Sequence, residues 1–184
     1  MPLVNSTNSY AVELIQKSEV VEGTVIYAIN QAKGRGQRGN IWQSEVGKNL
    51  TISVILKPSF LPAHRQFDLN KVISLAVCDF ICNKIPALKD QCKIKWPNDI
   101  YIGDKKTGGI LIENTLKGNE ISWSVIGIGL NVNQEKFPET LSNAISLKQL
   151  SNTTYQLDKL LEELCSFIEA RYLQLKNNNT ATLN

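Results

Sequence analysis

Apolar residues recur along this chain with two different periods, and each period predicts one kind of element. Short apolar runs and apolar–polar alternation, rich in β-branched side chains, are typical of strands. They predict strands over residues 24–29, 50–56, 92–96 and 121–132, and a hairpin that joins 100–102 to 107–112. Gly103-Asp104 supplies the turn of that hairpin. The middle of the chain is therefore predicted to be dominated by β-structure.

Helical spacing of apolar residues marks three other stretches. The apolar stripe over 69–85 is wide, which predicts a largely buried helix that Pro86 ends. The stripe over 155–175 has charges between its apolar positions, and a short helix-like stretch covers 11–15. We therefore expect an α+β (mixed α/β) fold in which a single central mixed β-sheet is covered by helices.

Composition and charge exclude several classes of protein. A length of 184 residues, with 42% hydrophobic and 20% charged residues, predicts one globular domain with a sizeable core. A formal net charge of +3 is too small to indicate a nucleic-acid partner. Residues 1–10 do not resemble a signal peptide, and no apolar run approaches the ~18 residues that a membrane span needs. We therefore expect a cytoplasmic protein that binds neither nucleic acid nor membrane.

The cysteines and the single histidine do not suggest metal chemistry. Cys78 and Cys82 are four apart on one predicted helix, whereas Cys92 and Cys165 lie elsewhere in the sequence. His64 lies in a proline-flanked loop. Reduced, mostly buried thiols are the simpler interpretation, and no metal-binding residue is predicted.

Candidate chemistry begins in a glycine-rich segment after the first predicted strand. The segment reads Gly34-Arg35-Gly36-Gln37-Arg38-Gly39 and continues as Asn40-Ile41-Trp42. Glycine lets a ligand lie close to the backbone, and arginine offers a fork of donors suited to phosphate or carboxylate. We expect this segment to clamp an anionic ligand. The local cations expected to serve the same site are Lys33, Arg35, Arg38 and Lys48.

A second segment, residues 95–112, suits the same ligand. Pro97 ends a predicted strand, so we expect the next two residues, Asn98 and Asp99, to be presented from a turn. Lys106 then precedes the pair Gly108-Gly109, where missing Cβ atoms leave room for a ligand against the strand. The two segments are therefore expected to converge on one site.

Most of these features also have a purely structural interpretation. Ser6-Thr7-Asn8 is typical of a helix N-cap, and the glycine-rich segment taken alone is compatible with an exposed hairpin. Gly127 and Gly129, inside an apolar strand, indicate either a packing adjustment or the close approach of a ligand. The tryptophans interpreted as core residues are Trp96 and Trp123.

Five motifs in a fixed order favour the functional interpretation. They are Ser6-Thr7-Asn8; Gln31 with residues 34–39; Lys95-Trp96-Pro97-Asn98-Asp99; Lys106 with Gly108-Gly109-Ile110-Leu111; and Gly127-Ile128-Gly129-Leu130-Asn131. Over roughly the first 133 residues, the sequence resembles the catalytic domain of biotin–protein ligases. The resemblance implies the biotin/lipoate ligase catalytic-domain fold, which is similar to that of class II aminoacyl-tRNA synthetases.

The resemblance implies a ligase that uses ATP with Mg²⁺ and takes biotin as its substrate. The carboxylate of biotin would attack the α-phosphate of ATP and give biotinyl-5'-AMP and pyrophosphate. A lysine amine on the biotin carboxyl carrier protein of an acyl-CoA carboxylase would then attack this adenylate and release AMP. Pairing in several relatives also makes a homodimer an expectation.

The resemblance assigns site residues position by position. Those expected to bind biotin are Ser6, Thr7, Asn8, Gln31, Gly108 and Gly109. Those expected to bind ATP or the adenylate are Gly34, Arg35, Gly36, Gln37, Arg38, Trp42, Lys95, Asn98, Lys106 and Asn131. Three residues are expected to be catalytic. Lys106 would bridge biotin and the α-phosphate, Arg35 would hold the phosphate, and Asp99 would orient the incoming lysine or accept its proton.

Two departures from the family pattern have consequences. Gln37 stands where many members carry arginine, which implies a weaker grip on phosphate or adenylate. Bacterial members usually continue into a small SH3-like domain. Here we expect a catalytic domain over 1–176 and a polar tail over 177–184, with that C-terminal domain and an N-terminal DNA-binding domain both absent.

Two other functions stay open at the level of sequence. A lipoate–protein ligase-like enzyme would share the fold and the adenylate chemistry, but its arginine and triple-glycine signature is not found. Octanoyl transfer would need a nucleophilic thiol, and no motif contains a cysteine. The alternative from another class is a non-catalytic module that binds biotin or nucleotide, and Gln37 keeps it open.

Overall fold

A computed structural model describes residues 1–177 of the chain. Its strands are β1 (Leu3–Val4), β2 (Val25–Tyr27), β3 (Asn30–Gln31), β4 (Leu50–Leu56), β5 (Cys92–Lys95), β6 (Asp99–Ile102), β7 (Lys105–Lys117) and β8 (Glu120–Leu130). Its α-helices are α1 (Thr7–Gln16), α2 (Gln66–Lys84), α3 (Leu147–Ser151) and α4 (Leu157–Lys176). Apart from its first residue, the predicted tail over 177–184 lies outside the described residues.

Six strands form one sheet in the order β2-β4-β8-β7-β6-β5, and every ladder in it is antiparallel. The expected α+β fold with a helix-covered central sheet is confirmed. The sheet itself is antiparallel rather than mixed, because its last four strands follow one another through short turns, which join only antiparallel neighbours. Among the described residues, β1 and β3 form a parallel pair outside this sheet, and one isolated parallel bridge joins Lys106 to Ala144.

The long periodic elements agree with the sequence predictions to within a few residues. β4 covers 50–56 as predicted, and the hairpin turns at Gly103, whose φ of +58° favours glycine. The elements that were not predicted are β1, β3 and α3, which are too short to show a period. For α3 a signal was present, because Ser146 and Gln149 form a capping box at its start.

The main core lies between the sheet and the two long helices. Inward-facing side chains of the strands, such as Ile110 and Ile126, pack there against Phe80 of α2 and Leu164 of α4. A smaller cluster under α1 covers part of the opposite face. The rest of that opposite face is left for the candidate site. No helix among residues 1–177 combines the length and the apolar character needed to cross a bilayer.

Candidate active site

The floor of the candidate site lies on the sheet face opposite α2 and α4. Gly129 on β8 is in register with Thr51 on β4 and with Gly109 on β7. Gly109 is in turn in register with Asp99 on β6. Because side chains alternate across a strand, the residues between these face the core. Two adjacent glycines therefore leave a hollow between polar neighbours.

The indole of Trp42 lies across these two glycines. A Cβ atom at Gly129 would lie 2.2 Å from Trp42 Cε2, and one at Gly109 would lie 3.2 Å from Cζ3. Glycine at 129 is thus what allows the ring to lie flat on β8. Trp42 Nε1 is buried and lacks a hydrogen-bond partner among the described residues. An acceptor on a bound ligand would satisfy this donor.

The glycine-rich segment folds as a narrow hairpin beside the cavity. Arg35 pairs with Ile41 in an antiparallel bridge, and the Gly36 amide donates to the Asn40 carbonyl at 2.7 Å. One turn of 3₁₀-helix, Gln37–Gly39, closes the tip, with Arg38 at a φ of +55°. Residues other than glycine rarely adopt that conformation, so the tip holds local backbone strain.

These elements surround a cavity of about 330 Å³. The predicted site residues that line it are Ser6, Thr7, Asn8, Gln31, Arg35, Gly36, Gln37, Arg38, Trp42, Asn98, Asp99, Lys106 and Gly109. The predicted site residues outside its lining are Gly34, Lys95, Gly108 and Asn131, and Lys33 and Lys48 lie outside it as well. Segments about 100 residues apart in sequence thus meet at one site.

Two of the residues outside the lining have evident structural contacts. A Cβ atom at Gly34 would lie 2.3 Å from the Trp42 carbonyl oxygen, so glycine there lets the hairpin close. The buried Asn131 amide donates to the carbonyls of Ile145 and Lys106, which anchors the backbone behind Lys106. Both residues shape the site without facing the cavity.

Neutral polar side chains line one end of the cavity. The backbone amide and the hydroxyl of Thr7 both donate to Gln31 Oε1, at 2.8 and 3.1 Å. The Ser53 hydroxyl donates to Asn8 Oδ1 at 2.6 Å. Ser6 occupies the N-cap position of α1, but its side chain makes no capping hydrogen bond. The buried Ser6-Thr7-Asn8 motif therefore serves the cavity more than the helix end.

The other end of the cavity is charged. Lys106 Nζ lies 2.7 Å from Asp99 Oδ1 and 5.8 Å from the centre of the Trp42 ring. Asn98 lies in the turn before β6, and its amide donates to the Ile110 carbonyl at 3.0 Å. The expectation that Asp99 is also presented from this turn is wrong, because Asp99 is the first residue of β6 and pairs in register with Lys95.

Glu113 is a residue of the site that was not predicted. Its two carboxylate oxygens accept from Arg35, with Nη2 to Oε1 at 2.8 Å and Nη1 to Oε2 at 3.2 Å. The Asn8 amide also donates to Oε2 at 2.8 Å. Glu113 therefore links the polar end of the cavity to the glycine-rich hairpin. The alternation of side chains along a strand could have indicated this position, since Gly109, Leu111 and Glu113 share one face of β7.

The two other tryptophans have different environments. The interpretation of Trp96 as a core residue is wrong, because its side chain is 70% exposed and lines the mouth of the cavity. It directly follows β5, which is the edge strand of the sheet. Trp123 does pack against the small cluster under α1.

The thiols lie away from the cavity lining. All four cysteines are free, and each is partly buried. Burial raises the pKa of Cys82 to about 11 and also raises the pKa of Cys165, so neither is an activated nucleophile. Within residues 1–177, no group of three or more His, Cys, Asp or Glu side chains is arranged to hold a metal ion.

Comparison with known proteins gives a consistent result. Residues 1–131 match the model of the biotin/lipoate A/B protein ligase family. The chain is 35% identical over 173 residues to the bifunctional ligase/repressor BirA of Bacillus subtilis, covering 92% of this chain and 52% of that protein. It is 29% identical over 175 residues to the biotin–[acetyl-CoA-carboxylase] ligase of Mycobacterium tuberculosis, covering 95% of this chain and 63% of that protein.

Solved structures include similar folds. The biotin protein ligase from Aquifex aeolicus in complex with biotin and ATP superposes with a TM-score of 0.79 at 28% identity. That alignment covers 96% of this chain and 70% of the Aquifex chain. The chain thus spans about half the length of the Bacillus relative and about two thirds of the other two.

Proposed function

Because the chain belongs to the biotin/lipoate A/B protein ligase family, we propose that it attaches biotin to a lysine of a biotin carboxyl carrier protein in two ATP-dependent steps. The observation that carries the proposal is one cavity lined by the neutral polar side chains of Thr7 and Asn8 and by the charged side chains of Lys106, Asp99 and Arg35. Such a cavity suits a neutral polar head joined to an acid and a phosphate. The name of the Mycobacterium relative and the Aquifex complex with biotin and ATP favour biotin over lipoate.

The ureido ring of biotin fits the polar end of the cavity. The ring offers two N–H donors and one carbonyl acceptor, and the hydroxyls and amides there can both donate and accept. Asn8 Oδ1 is held in place by Ser53, which leaves it a free lone pair for a ureido N–H. The Trp42 ring, which lies over Gly109 and Gly129, would cover the apolar part of biotin.

In the first step, a carboxylate oxygen of biotin attacks the α-phosphorus of ATP. The bond from that phosphorus to the oxygen bridging to the β-phosphate breaks, and pyrophosphate leaves with the bonding electrons. Lys106 would contact both the carboxylate and the α-phosphate, and Arg35 and Arg38, which also line the cavity, would contact the phosphates. Fixed cations stabilise the charge that develops there.

In the second step, the lysine amine of the carrier attacks the carboxyl carbon of the adenylate. The bond from that carbon to the phosphate oxygen breaks, AMP leaves, and the amine loses a proton. Asp99, which lines the cavity beside Lys106, would orient the amine and accept the proton. The hairpin and Trp42 would shield the reactive adenylate from water in the interval.

Several finer points belong to the same proposal. Mg²⁺ would accompany ATP, held mainly by the phosphates, since Asp99 is paired with Lys106 and residues 1–177 contain no preformed carboxylate cluster. No step above depends on the ion.

The name of the Mycobacterium relative supports an acyl-CoA carboxylase as the source of the carrier. Free thiols suit a cytoplasmic setting. A homodimer stays a prediction that analytical ultracentrifugation checks.

Pyrophosphate exchange tests the function directly. The chain is incubated with ATP, Mg²⁺ and radiolabelled pyrophosphate, with biotin or with lipoate, and label entering ATP is counted. We expect exchange that requires biotin. Exchange with lipoate alone would contradict the biotin assignment. Biotin binding by calorimetry without exchange would indicate a non-catalytic binding module.

A further inference from the structure

The side-chain amide of Asn8 lies directly on the backbone of β8. A Cβ atom at Gly127 would overlap Asn8 Oδ1 and lie 3.0 Å from Asn8 Cγ, so glycine at this position leaves the room that the amide needs. Gly127 is in register with Ser53 on β4 and with Leu111 on β7. The amide therefore rests on the middle one of three adjacent strands, with a polar group of each outer strand beside it.

The hydrogen bonds decide which edge of this amide carries the NH₂ group. Asn8 Nδ2 donates to Glu113 Oε2 at 2.8 Å and to the Leu111 carbonyl at 3.3 Å. A carboxylate and a carbonyl only accept, so the NH₂ group faces β7 and uses both of its protons there. Asn8 Oδ1 accepts the hydroxyl proton of Ser53 at 2.6 Å. Within residues 1–177, what Asn8 still offers to a ligand is therefore one lone pair on Oδ1 and no donor.

Ser53 acts on the cavity only through Asn8. It is fully buried and does not line the cavity, whereas Asn8 does. The same bond occurs elsewhere with no ligand nearby, because the buried hydroxyl of Ser124 on β8 donates to Asn114 Oδ1, also at 2.6 Å, and neither residue lines the cavity. The second pair shows what a purely structural bond of this kind looks like, and it provides a matched control.

We propose that Ser53 is a positioning residue that makes the cavity selective for ligands that donate an N–H group to Asn8. The proposal rests on the proposed ligase function and names the feature that separates its substrates. The ureido ring of biotin carries an N–H group on each side of its carbonyl, whereas the dithiolane ring of lipoate carries none. A ligand with an acceptor at this point would face the fixed lone pair of Asn8 Oδ1 and leave it unpaired.

The test compares ligands that differ by a single donor. The proteins are the wild type, Ser53→Ala, Ser53→Cys and the control Ser124→Ala. The ligands are biotin, desthiobiotin, which keeps the ureido ring, and the two biotin analogues in which one ureido N–H is replaced by a ring oxygen. Dissociation constants are measured by calorimetry, in competition with biotin where binding is weak. Pyrophosphate exchange at saturating biotin and thermal denaturation are measured for each protein.

In the wild type, we expect the analogue whose oxygen faces Asn8 to bind about tenfold or more weakly than biotin. Ser53→Ala should raise the dissociation constants of biotin and desthiobiotin about fivefold, because an amide held at one edge only is less well oriented. The analogue whose oxygen faces Asn8 should lose no affinity, since the freed amide can turn away from it. The selectivity between biotin and this analogue therefore falls about fivefold.

The remaining measurements separate positioning from stability. Ser53→Cys, with nearly the same volume and a weak S–H donor, should lie between Ser53→Ala and the wild type. The maximal exchange rate should stay within about twofold of wild type in both Ser53 variants, because binding and not chemistry is affected. Ser124→Ala should lower thermal stability as much as Ser53→Ala does, and should leave every dissociation constant within about twofold of wild type.

Three results would overturn the role of Ser53. The first is an equal loss of affinity for biotin and for both oxygen analogues in Ser53→Ala, which would make the hydroxyl a mere anchor of α1 on the sheet. The second is biotin affinity in Ser53→Ala within about twofold of wild type. The third is the same loss in Ser124→Ala. Failure of the wild type to exchange pyrophosphate with biotin would instead contradict the proposed function.

Discussion

The two faces of the six-stranded sheet use the same strands for opposite purposes. Toward α2 and α4, β7 and β8 present aliphatic side chains, such as Ile110 and Ile128, that fill a continuous core. On the other face, the adjacent positions Gly109 and Gly129 present no side chain, and both the Trp42 ring and the cavity border them. Glycine at these two positions therefore makes room for the ring and for the cavity beside it.

This difference predicts that the two faces can be disturbed separately. A truncation on the core face should lower the free energy of unfolding without a specific effect on chemistry. A truncation on the cavity face should lower the reaction rate while the fold persists, because few buried contacts are lost there. The four changes below test this separation, from the largest expected effect to the smallest.

Phe80→Ala removes a buried side chain from the core face. Phe80 on α2 is fully buried and meets the edge of the Phe167 ring, with centroids 6.1 Å apart. Removing a buried phenyl ring should lower the free energy of unfolding by about 3–5 kcal/mol, measured by urea denaturation. Phe67→Ala, a partly exposed position on the same helix, is the control. A loss below about 1 kcal/mol at Phe80 would show that the core face tolerates a cavity.

Lys106→Ala removes a charged side chain from the cavity face. We expect biotin-dependent pyrophosphate exchange to fall by a factor that corresponds to about 2.7–4 kcal/mol of transition-state stabilisation, because a preorganised cation is lost. Thermal denaturation should stay close to wild type. Lys105→Ala is the neighbouring control, since within residues 1–177 its ammonium donates to the Ser142 carbonyl and it does not line the cavity. A wild-type exchange rate in Lys106→Ala would remove this residue from the mechanism.

Gly129→Ala tests whether the Trp42 ring needs the space that a missing side chain at position 129 provides. The new methyl group would overlap three atoms of the Trp42 ring, so the ring must move. Overpacking of this kind lowers stability by about 1–3 kcal/mol. The same change in a Trp42→Ala background should have little effect, because the clash is gone. Equal losses in both backgrounds, measured by thermal denaturation, would show that Trp42 does not cover Gly129 in solution.

Glu113→Gln separates two contacts within the cavity face, those that Glu113 makes with Arg35 and with Asn8. Glutamine keeps an acceptor for Asn8 but loses the charge that holds Arg35. A partly exposed ion pair is worth up to about 1 kcal/mol, so KM for ATP should rise about two- to fivefold. Biotin affinity by calorimetry should be unchanged, and Glu120→Gln is the control on the same sheet. A larger effect on biotin than on ATP would contradict this role.

Much of the fold and of the site was predictable, because hydrophobic period and residue chemistry are local. The spacing over 50–56 and 69–85 is enough to give β4 and α2. The residue types of the glycine-rich segment and of Lys106 are enough to suggest an anion site. Neither inference needs to know which strand lies beside which.

The sequence pattern could not predict the register in which the strands pair. Gly108 and Gly109 were both predicted to contact the ligand, but adjacent residues of a strand face opposite sides, and Gly109 is the one that lines the cavity. The irregularity in pairing between Ile100 and Tyr101 brings Lys106 to the face of Gly109. No periodicity in the sequence marks that shift.

The sequence by itself determined the elements, the cationic residues and the glycines of this protein. The tertiary structure alone decided that the sheet is antiparallel, that Trp96 is exposed at its edge, and that Glu113 meets Arg35 from 78 positions away. The physical reason is that propensity and period act over a few neighbouring residues. Contacts between distant residues depend instead on how the whole sheet pairs and packs.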